Sequence, residues 1–222
     1  MIQSIILAFG HRARQGKDAA VAAIIAARSK DYNIKKYSFA KELKAEVTKN
    51  ALASGGMQRL FDDGLRIPGA GFMSMDGKDF VSLPDWVQPE SAPDFSDPDC
   101  PLGKERTFLQ FWGEFRRASD PNYWIKKVAE RIEEEKPEIA LISDLRYMNE
   151  MQWCLEYGEA VKVVRSGVPS PNAHASETDL AHIVDADWGA VIYNEGTLEQ
   201  LKQQAVYVFD EILEKIPGRK TQ

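Results

Sequence analysis

Hydrophobic residues fall into two rhythms along this chain. Three short apolar runs, Ile5–Phe9, Ile139–Ile142 and Ala160–Val164, lack the regular alternation of a half-exposed strand. Runs of that kind are what a parallel sheet covered on both faces requires. Asn33–Phe39, carrying Ile34, Tyr37 and Phe39, and Gly189–Tyr193 add two further strands. Elsewhere the apolar positions follow helical spacing, predicting helices over Asp18–Arg28, Ala40–Ala53, Lys104–Phe115, Pro121–Glu135, Met148–Tyr157 and Thr197–Ile216. Asp120 suits an N-cap and Pro121 a first helical turn, while Gly158 stops the helix that precedes it.

Punctuation residues divide the chain. Gly55 and Gly56 end the second helix, and Met57–Val81 is a mixed stretch interrupted by glycines at 64, 69, 71 and 77. From Leu83 to Gly103 prolines recur among Asp, Ser and Glu, which excludes a regular helix or a central strand and predicts a long surface loop, either a functional lid or an insertion. At 222 residues the chain suits one elaborated domain. Its core is expected at about 1–54 and 104–216, with an insertion on the acceptor side at 55–103 and a lid-like or plainly connecting segment at 166–180.

Alternating strands and helices predict an α/β fold, a mostly parallel sheet with right-handed crossovers. In such sheets ligands bind outside the carboxyl ends of the strands. Gly10–Lys17, Asp144–Arg146 and Arg165 all fall just past predicted strand ends, so they are expected to converge.

Composition narrows the partners. No apolar run approaches the length needed to cross a bilayer, and the segment before Ile5 has no basic region, so the chain reads as a cytoplasmic protein without a membrane partner. A net charge of −6 argues against gripping a long nucleic acid but leaves room for a local cluster of Arg and Lys on a small anion. Cys100, Cys154, His11, His174 and His182 show no metal-ligand spacing. A monomer and a homodimer are both compatible with these residues.

The chemistry concentrates in Gly10-His-Arg-Ala-Arg-Gln-Gly16-Lys17-Asp18, between the first strand and the first helix. Backbone N–H groups at a helix start have no intrahelical partner, and the helix dipole adds positive charge there. A glycine-bounded loop with a lysine at that point predicts a nucleoside triphosphate site, with Arg14, Gln15, Gly16, Lys17, Asp18 and Ala19 beside ATP. The match to G-x-x-x-x-G-K-[ST] is imperfect, since five residues separate the glycines and Asp18 follows Lys17. An ordinary βα turn with a solvated lysine is the competing reading.

Phosphoryl transfer asks for a held metal and positive charge around the migrating group. Asp18 and Asp144 offer carboxylates for Mg²⁺, and Arg14, Arg116, Arg117, Arg146 and Arg165 offer guanidinium groups suited to bidentate phosphate contact. Each has an alternative: Asp144 as the N-cap of the next helix, Arg116 and Arg117 as a solvated helix end, Glu150 as an exposed helix residue or as an orienter of Arg146. Phe39, Trp112, Tyr123 and Trp124 can stack on a base or fill a core. Glu177 lies in the Pro- and Ser-rich segment after Arg165.

The loop is followed in order by Leu109-Gln110-x-x-Gly113, Asp120-x-x-Tyr123-Trp124-Ile125-Lys126, Asp144-x-Arg146-x-x-x-Glu150, Val163-Val164-Arg165, His174-x-x-Glu177 and Asn194-x-Gly196-Thr197-Leu198-Glu199. In this series, from about Ile5 to Leu201, the chain resembles the bacteriophage deoxynucleoside monophosphate kinases. The resemblance implies a P-loop kinase fold with a five-stranded parallel sheet and helices on both faces. It implies transfer of the ATP γ-phosphoryl to a deoxynucleoside monophosphate with Mg²⁺, small nucleotides being the partners. It would place Lys17 and the Gly10–Asp18 loop on ATP, Arg146 and the Gln110–Arg117 region near the acceptor nucleotide, and Arg165 at the lid side. Together with the residue readings, Lys17, Asp144, Arg146 and Arg117 are the candidates for the chemistry. The acceptor candidates are Phe39, Gln110, Trp112, Arg116, Arg117, Trp124, Arg146, Glu150 and Glu177. Ala19 stands where Thr is frequent in that family, and the loop is one residue longer. A kinase of another acceptor, such as a modified base in DNA or a phosphorylated metabolite, and a nucleotide-binding protein without turnover are the competing functions.

Overall fold

A computed structural model describes residues 2–53, 71–73, 80–82, 106–168 and 175–216. The chain forms two compact units, Met1–Phe39 with Trp124–Gln222, and Ala40–Tyr123. The elements in chain order are β1 (Ile5–Gly10), α1 (Lys17–Arg28), β2 (Ile34–Tyr37), α2 (Phe39–Ala53), β3 (Gly71–Met73), β4 (Phe80–Ser82), α3 (Arg106–Ser119) and α4 (Tyr123–Glu135). They continue with β5 (Ile139–Leu145), α5 (Met148–Tyr157), β6 (Gly158–Val164), α6 (Ala175–Thr178), a 3₁₀ turn (Asp185–Asp187), β7 (Ala190–Tyr193) and α7 (Leu198–Lys215).

In the first unit, β2, β5, β1, β6 and β7 lie side by side in that order, and every pairing is parallel. The reason the strand segments read as unbroken apolar runs is visible in the packing. Leu7, Phe9, Ile139, Leu141, Val161 and Val163 join Val21, Ile24, Leu201, Ala205 and Phe209 of α1 and α7 in one core cluster. The alternate residues Ile6, Ala8, Ala140, Ile142 and Ala160 are equally buried, and α5 packs on β1 and β6. Both faces are thus covered, and no position along a central strand can be polar without a specific partner. This is the five-stranded parallel α/β sandwich that the sequence predicts.

The connections set up a cleft. From β1 the chain travels out to the edge strand β2, whereas from β5, the neighbour of β1, it crosses to β6 on the far side. Two adjacent strands whose connections leave in opposite directions open a crevice beyond their carboxyl ends. The loop after β1 and the residues after β5 both border it. At the opposite end of β1, Gly158 admits β6 to its place: a Cβ there would stand 2.1 Å from the Ile6 carbonyl oxygen.

At the ends of the helices, short-range chemistry agrees with the pattern. Thr197 and Gln200 form a reciprocal capping box on α7, and Arg28 on α1 grips Asp210 on α7 through Nε at 2.9 Å and Nη2 at 2.6 Å. The pair is half-exposed, so its contribution is modest beside the apolar seam it borders.

The second unit contains two features that departed from expectation. Within the mixed stretch, β3 and β4 form an antiparallel pair with Phe72 opposite Val81. Helix α3 runs to Ser119 rather than stopping at Phe115, which carries Arg116 and Arg117 into its last turn. The Pro-rich stretch 83–103 lies outside the described residues.

Candidate phosphate-binding site

The loop between β1 and α1 is held in a shape few sequences accept. His11, Arg14 and Gly16 all have positive φ, at 90°, 60° and 105°. Gly16 caps α1 without a side-chain hydrogen bond, so the first N–H groups of the helix receive no capping oxygen from it. Glycine is needed there twice over, since its φ is left-handed and a Cβ would meet Asn194 Nδ2 at 2.7 Å and Leu201 Cδ2 at 2.9 Å. Asn194 donates from Nδ2 to the Gln15 carbonyl at 2.9 Å, and the buried Gln15 side chain accepts from the backbone N–H of Arg165. Strand ends β6 and β7 therefore brace the loop.

Lys17 is 6% exposed and turns back into the loop, where Nζ donates to the carbonyls of His11, at 3.2 Å, and Arg12. Burial lowers its pKa to about 8, and the nearby Arg146 charge adds to that, against the opposing pull of Glu177, Asp144 and Asp18. Those names locate the lysine: residues from β5 and α6 that are distant in sequence act on its ammonium. His11 is lowered to about 4 by burial and by Lys162, Arg12 and Lys17, so it is neutral at physiological pH.

Near the end of β5, Asp144 accepts from the backbone N–H of Phe39 at 3.0 Å and from Ser38 Oγ at 2.8 Å, fixing the chain that leaves β2. It does not cap the helix that follows it. Tyr147 occupies that position, and Glu150 closes the box by accepting from the N–H groups of Arg146 at 3.0 Å and Tyr147 at 3.2 Å. Glu150 is 2% exposed, so the exposed-helix reading is replaced by that of a buried anchor for the Arg146 backbone. Arg146 sends Nη1 to the Ser176 carbonyl at 3.0 Å and to Glu177 Oε1, while Glu177 Oε2 accepts from the Ala13 N–H at 2.8 Å. Asp18 is paired with Lys36 at 2.6 Å. Burial pushes its carboxyl pKa up, but hydrogen bonds from Lys36 and Ser143 with the charge of Lys17 bring it below the usual value.

Lys17, Asp18, Asp144, Arg146, Glu150 and Glu177 thus gather around the loop, and Gln15 joins them through the backbone of Arg165. Arg14, within the loop, and Arg165, whose N–H meets Gln15, have exposed side chains, and Ala19 lies against the α1–α7 core. Trp188 lies so close to Gly10 that a Cβ there would be 2.8 Å from its ring. Phe39 meets Trp153 edge-on with centroids 6.3 Å apart, and Trp124, 2% exposed, belongs to the buried face of α4.

In the second unit a separate cluster forms on α2 and α3. Glu46 accepts from Trp112 Nε1 at 3.0 Å, Arg116 Nε at 2.7 Å and Tyr123 Oη at 2.5 Å. The Arg116 guanidinium lies over the rings of Trp112 and Tyr123, 5.2 Å and 5.1 Å from their centroids. Arg116 is therefore held by a carboxylate and two aromatic faces instead of lying free at a solvated helix end. Arg117 is on the same turn of α3 and is partly buried; the Gln110 side chain lies outside the described residues. Ser38 and Lys36 beside the loop, and in the second unit Glu46, carry no local sequence signal for these contacts, except that Ser38 precedes the helical pattern of α2; Asn194 ends a strand and opens one of the quoted motifs.

Among the described residues, no group of three or more His, Cys, Asp or Glu side chains makes a metal cage, and no helix is long and apolar enough to cross a membrane. A central strand, a glycine-bounded loop with its lysine and the helix that follows come in the strand, loop, helix order of a P-loop. No family model matches the chain. Among solved structures it is similar to dephospho-CoA kinase from Campylobacter jejuni, with a TM-score of 0.49 and 12% identity over 95% of this chain and 98% of that one. At that distance no residue role passes from one chain to the other.

Proposed function

We propose that this chain is a P-loop phosphotransferase that moves the γ-phosphoryl of ATP to a deoxynucleoside 5′-monophosphate. The observation that carries the transferase reading is the environment of Lys17: a buried ammonium at the start of α1, under the influence of Asp144, Arg146, Glu177 and Asp18. Buried charges of both signs gathered at a strand-end crevice are costly to maintain and mark functional sites. The nucleotide acceptor is supported by the ordered series of motifs shared with the phage kinases.

The residues present fit a polyphosphate. The Ala13 N–H already donates to a carboxylate, and the Gly16 cap leaves the helix start open to an anion. Lys17 would neutralise β- and γ-oxygens, and Arg146, its backbone pinned by Glu150, would hold charge on the transferring group. Asp144 and Asp18 would hold Mg²⁺ through its waters, since that ion takes only one or two carboxylates beside substrate phosphates in such sites. When bound, the ion neutralises charge on the phosphates.

Incubating the protein with ATP, Mg²⁺ and a panel of deoxynucleoside monophosphates, single-stranded and duplex DNA, and phosphorylated metabolites tests the acceptor directly by product chromatography. Diphosphate from one or more of the deoxynucleotides is the expected result. Turnover confined to DNA or to metabolites would overturn the acceptor, and absence of transfer to every acceptor would overturn the transferase reading.

The depressed lysine makes a pH prediction. Because Lys17 is lowered to about 8, the ligand-free site loses its ammonium as pH rises through that value. The KM for ATP is expected to climb between about pH 7 and pH 9.5, and Lys17→Arg should lack that limb because a guanidinium stays charged. A flat KM profile in the wild-type protein would contradict it. Stability runs the opposite way: a lysine with a lowered folded pKa penalises the native state below about 8, and the penalty lifts as pH rises toward the ordinary lysine value.

A further inference from the structure

The Ala13 amide of the loop and the charges beside it are arranged to take an anion, and the anion they hold is one of the chain's own. Glu177 has a fully buried side chain, one oxygen on the Ala13 N–H at 2.8 Å and the other on Arg146 Nη1. Its charge also acts on Lys17. A loop amide, a guanidinium and an ammonium are the three kinds of donor that a polyphosphate would take. Resting on the reading of this loop as a polyphosphate site, we infer that Glu177 is an internal competitor, seated in the phosphate cradle and displaced when a polyphosphate binds.

The carrier of this carboxylate is suited to leaving. Helix α6 is a single turn, Ala175–Thr178, with Ala175 and Thr178 exposed. Beyond Glu177, the segment is tied by the Ser176 carbonyl on Arg146, the Asp179 carboxylate on the Met148 N–H at 2.8 Å and the buried Leu180, among other contacts of Ser176 and Thr178. A single four-residue turn outside the main core cluster opens at lower free energy than the packed strands and helices of the sheet. A ligand that displaces the carboxylate binds with an affinity reduced by the fraction of molecules in which the cradle is open. The contact therefore sets a threshold: an anion that engages the amide, Arg146 and Lys17 together overcomes it, and a single weakly held phosphate does not.

Titration calorimetry of the full-length protein with inorganic tripolyphosphate and with ATP, in the wild type, Glu177→Gln and Lys17→Ala, tests this. Glu177→Gln keeps the shape and removes the charge, and it is expected to bind tripolyphosphate about tenfold tighter or more, the gain that follows if the cradle is open in one molecule in ten or fewer. Unchanged or weaker binding by a folded Glu177→Gln overturns the inference and would mean that Glu177 serves to hold Arg146 for the ligand. Tripolyphosphate binding by the wild type that is lost in Lys17→Ala upholds the cradle whatever Glu177→Gln does. Binding indifferent to Lys17, or none in any variant, removes the cradle and the competitor together. Hydrogen exchange on the wild-type protein gives a readout free of folding defects. With tripolyphosphate, amides 10–17 should exchange more slowly and amides 176–181 faster, whereas slowing in both segments overturns displacement.

Discussion

Lys17→Ala is expected to abolish phosphoryl transfer to within a thousandth of the wild-type rate or lower. The γ-phosphoryl passes through a state whose charge is spread over peripheral oxygens, and a positioned cation there contributes on the order of 10³-fold in rate. Among the described residues Lys17 is the most enclosed cation, 6% exposed and seated on two loop carbonyls. The substitution also removes those two hydrogen bonds, so the measurement pairs single-turnover kinetics with thermal melting. Because burial already disfavours the ammonium, its loss should lower the melting temperature little. A variant that keeps its fold and more than about a tenth of the wild-type rate would remove Lys17 from the chemistry, since that is less than the usual worth of one such contact.

The second large effect is expected from the residue before it. Gly16→Ala would force a side chain onto a φ of 105° and push a Cβ to 2.7 Å from Asn194 Nδ2 and 2.9 Å from Leu201 Cδ2. The left-handed conformation costs about 1–2 kcal/mol and overpacking about 1–3 kcal/mol more. For a chain of this size that lowers the melting temperature by roughly 5–15 °C. Asn194 holds the Gln15 carbonyl, so its displacement also loosens the loop, and ATP affinity should fall by about tenfold or more. Unchanged melting and unchanged affinity together would show that the loop tolerates an ordinary residue there.

The parts of the architecture legible in the sequence were those dictated by burial on both sides of a sheet. Ile5–Phe9, Ile139–Ile142 and Ala160–Val164 could be read as central strands because neither face allowed a polar residue, Lys162 excepted. That lysine carries its own partners, Asp185 at 2.7 Å and the Ile183 carbonyl at 3.3 Å. The loop was legible for a related reason, since glycines and a lysine between strand and helix are a local pattern. β3 and β4 escaped because three-residue strands are too short to show a period. Past Phe115, α3 carries Arg116 onto Glu46, 70 residues away in the chain, a partner no local pattern shows. Asp144 resembled an N-cap for the helix ahead of it, yet its partners are Ser38 and Phe39, more than 100 residues earlier. The burial of Glu150 had a signal, its position as N3 of α5, but nothing local told an inward carboxylate from an outward one. Glu177 sits in a Pro- and Ser-rich segment whose composition suggests solvent, and its enclosure depends on partners distant in the chain, Ala13 and Arg146 among them.

The lysine that folds back onto the carbonyls of His11 and Arg12, with Gln15 fastened from two strand ends, has a thermodynamic consequence for whatever ligand arrives. The conformational freedom of the receiving backbone is surrendered during folding, not at association. A rigid receptor of this kind converts contact enthalpy into affinity with little loss of chain entropy.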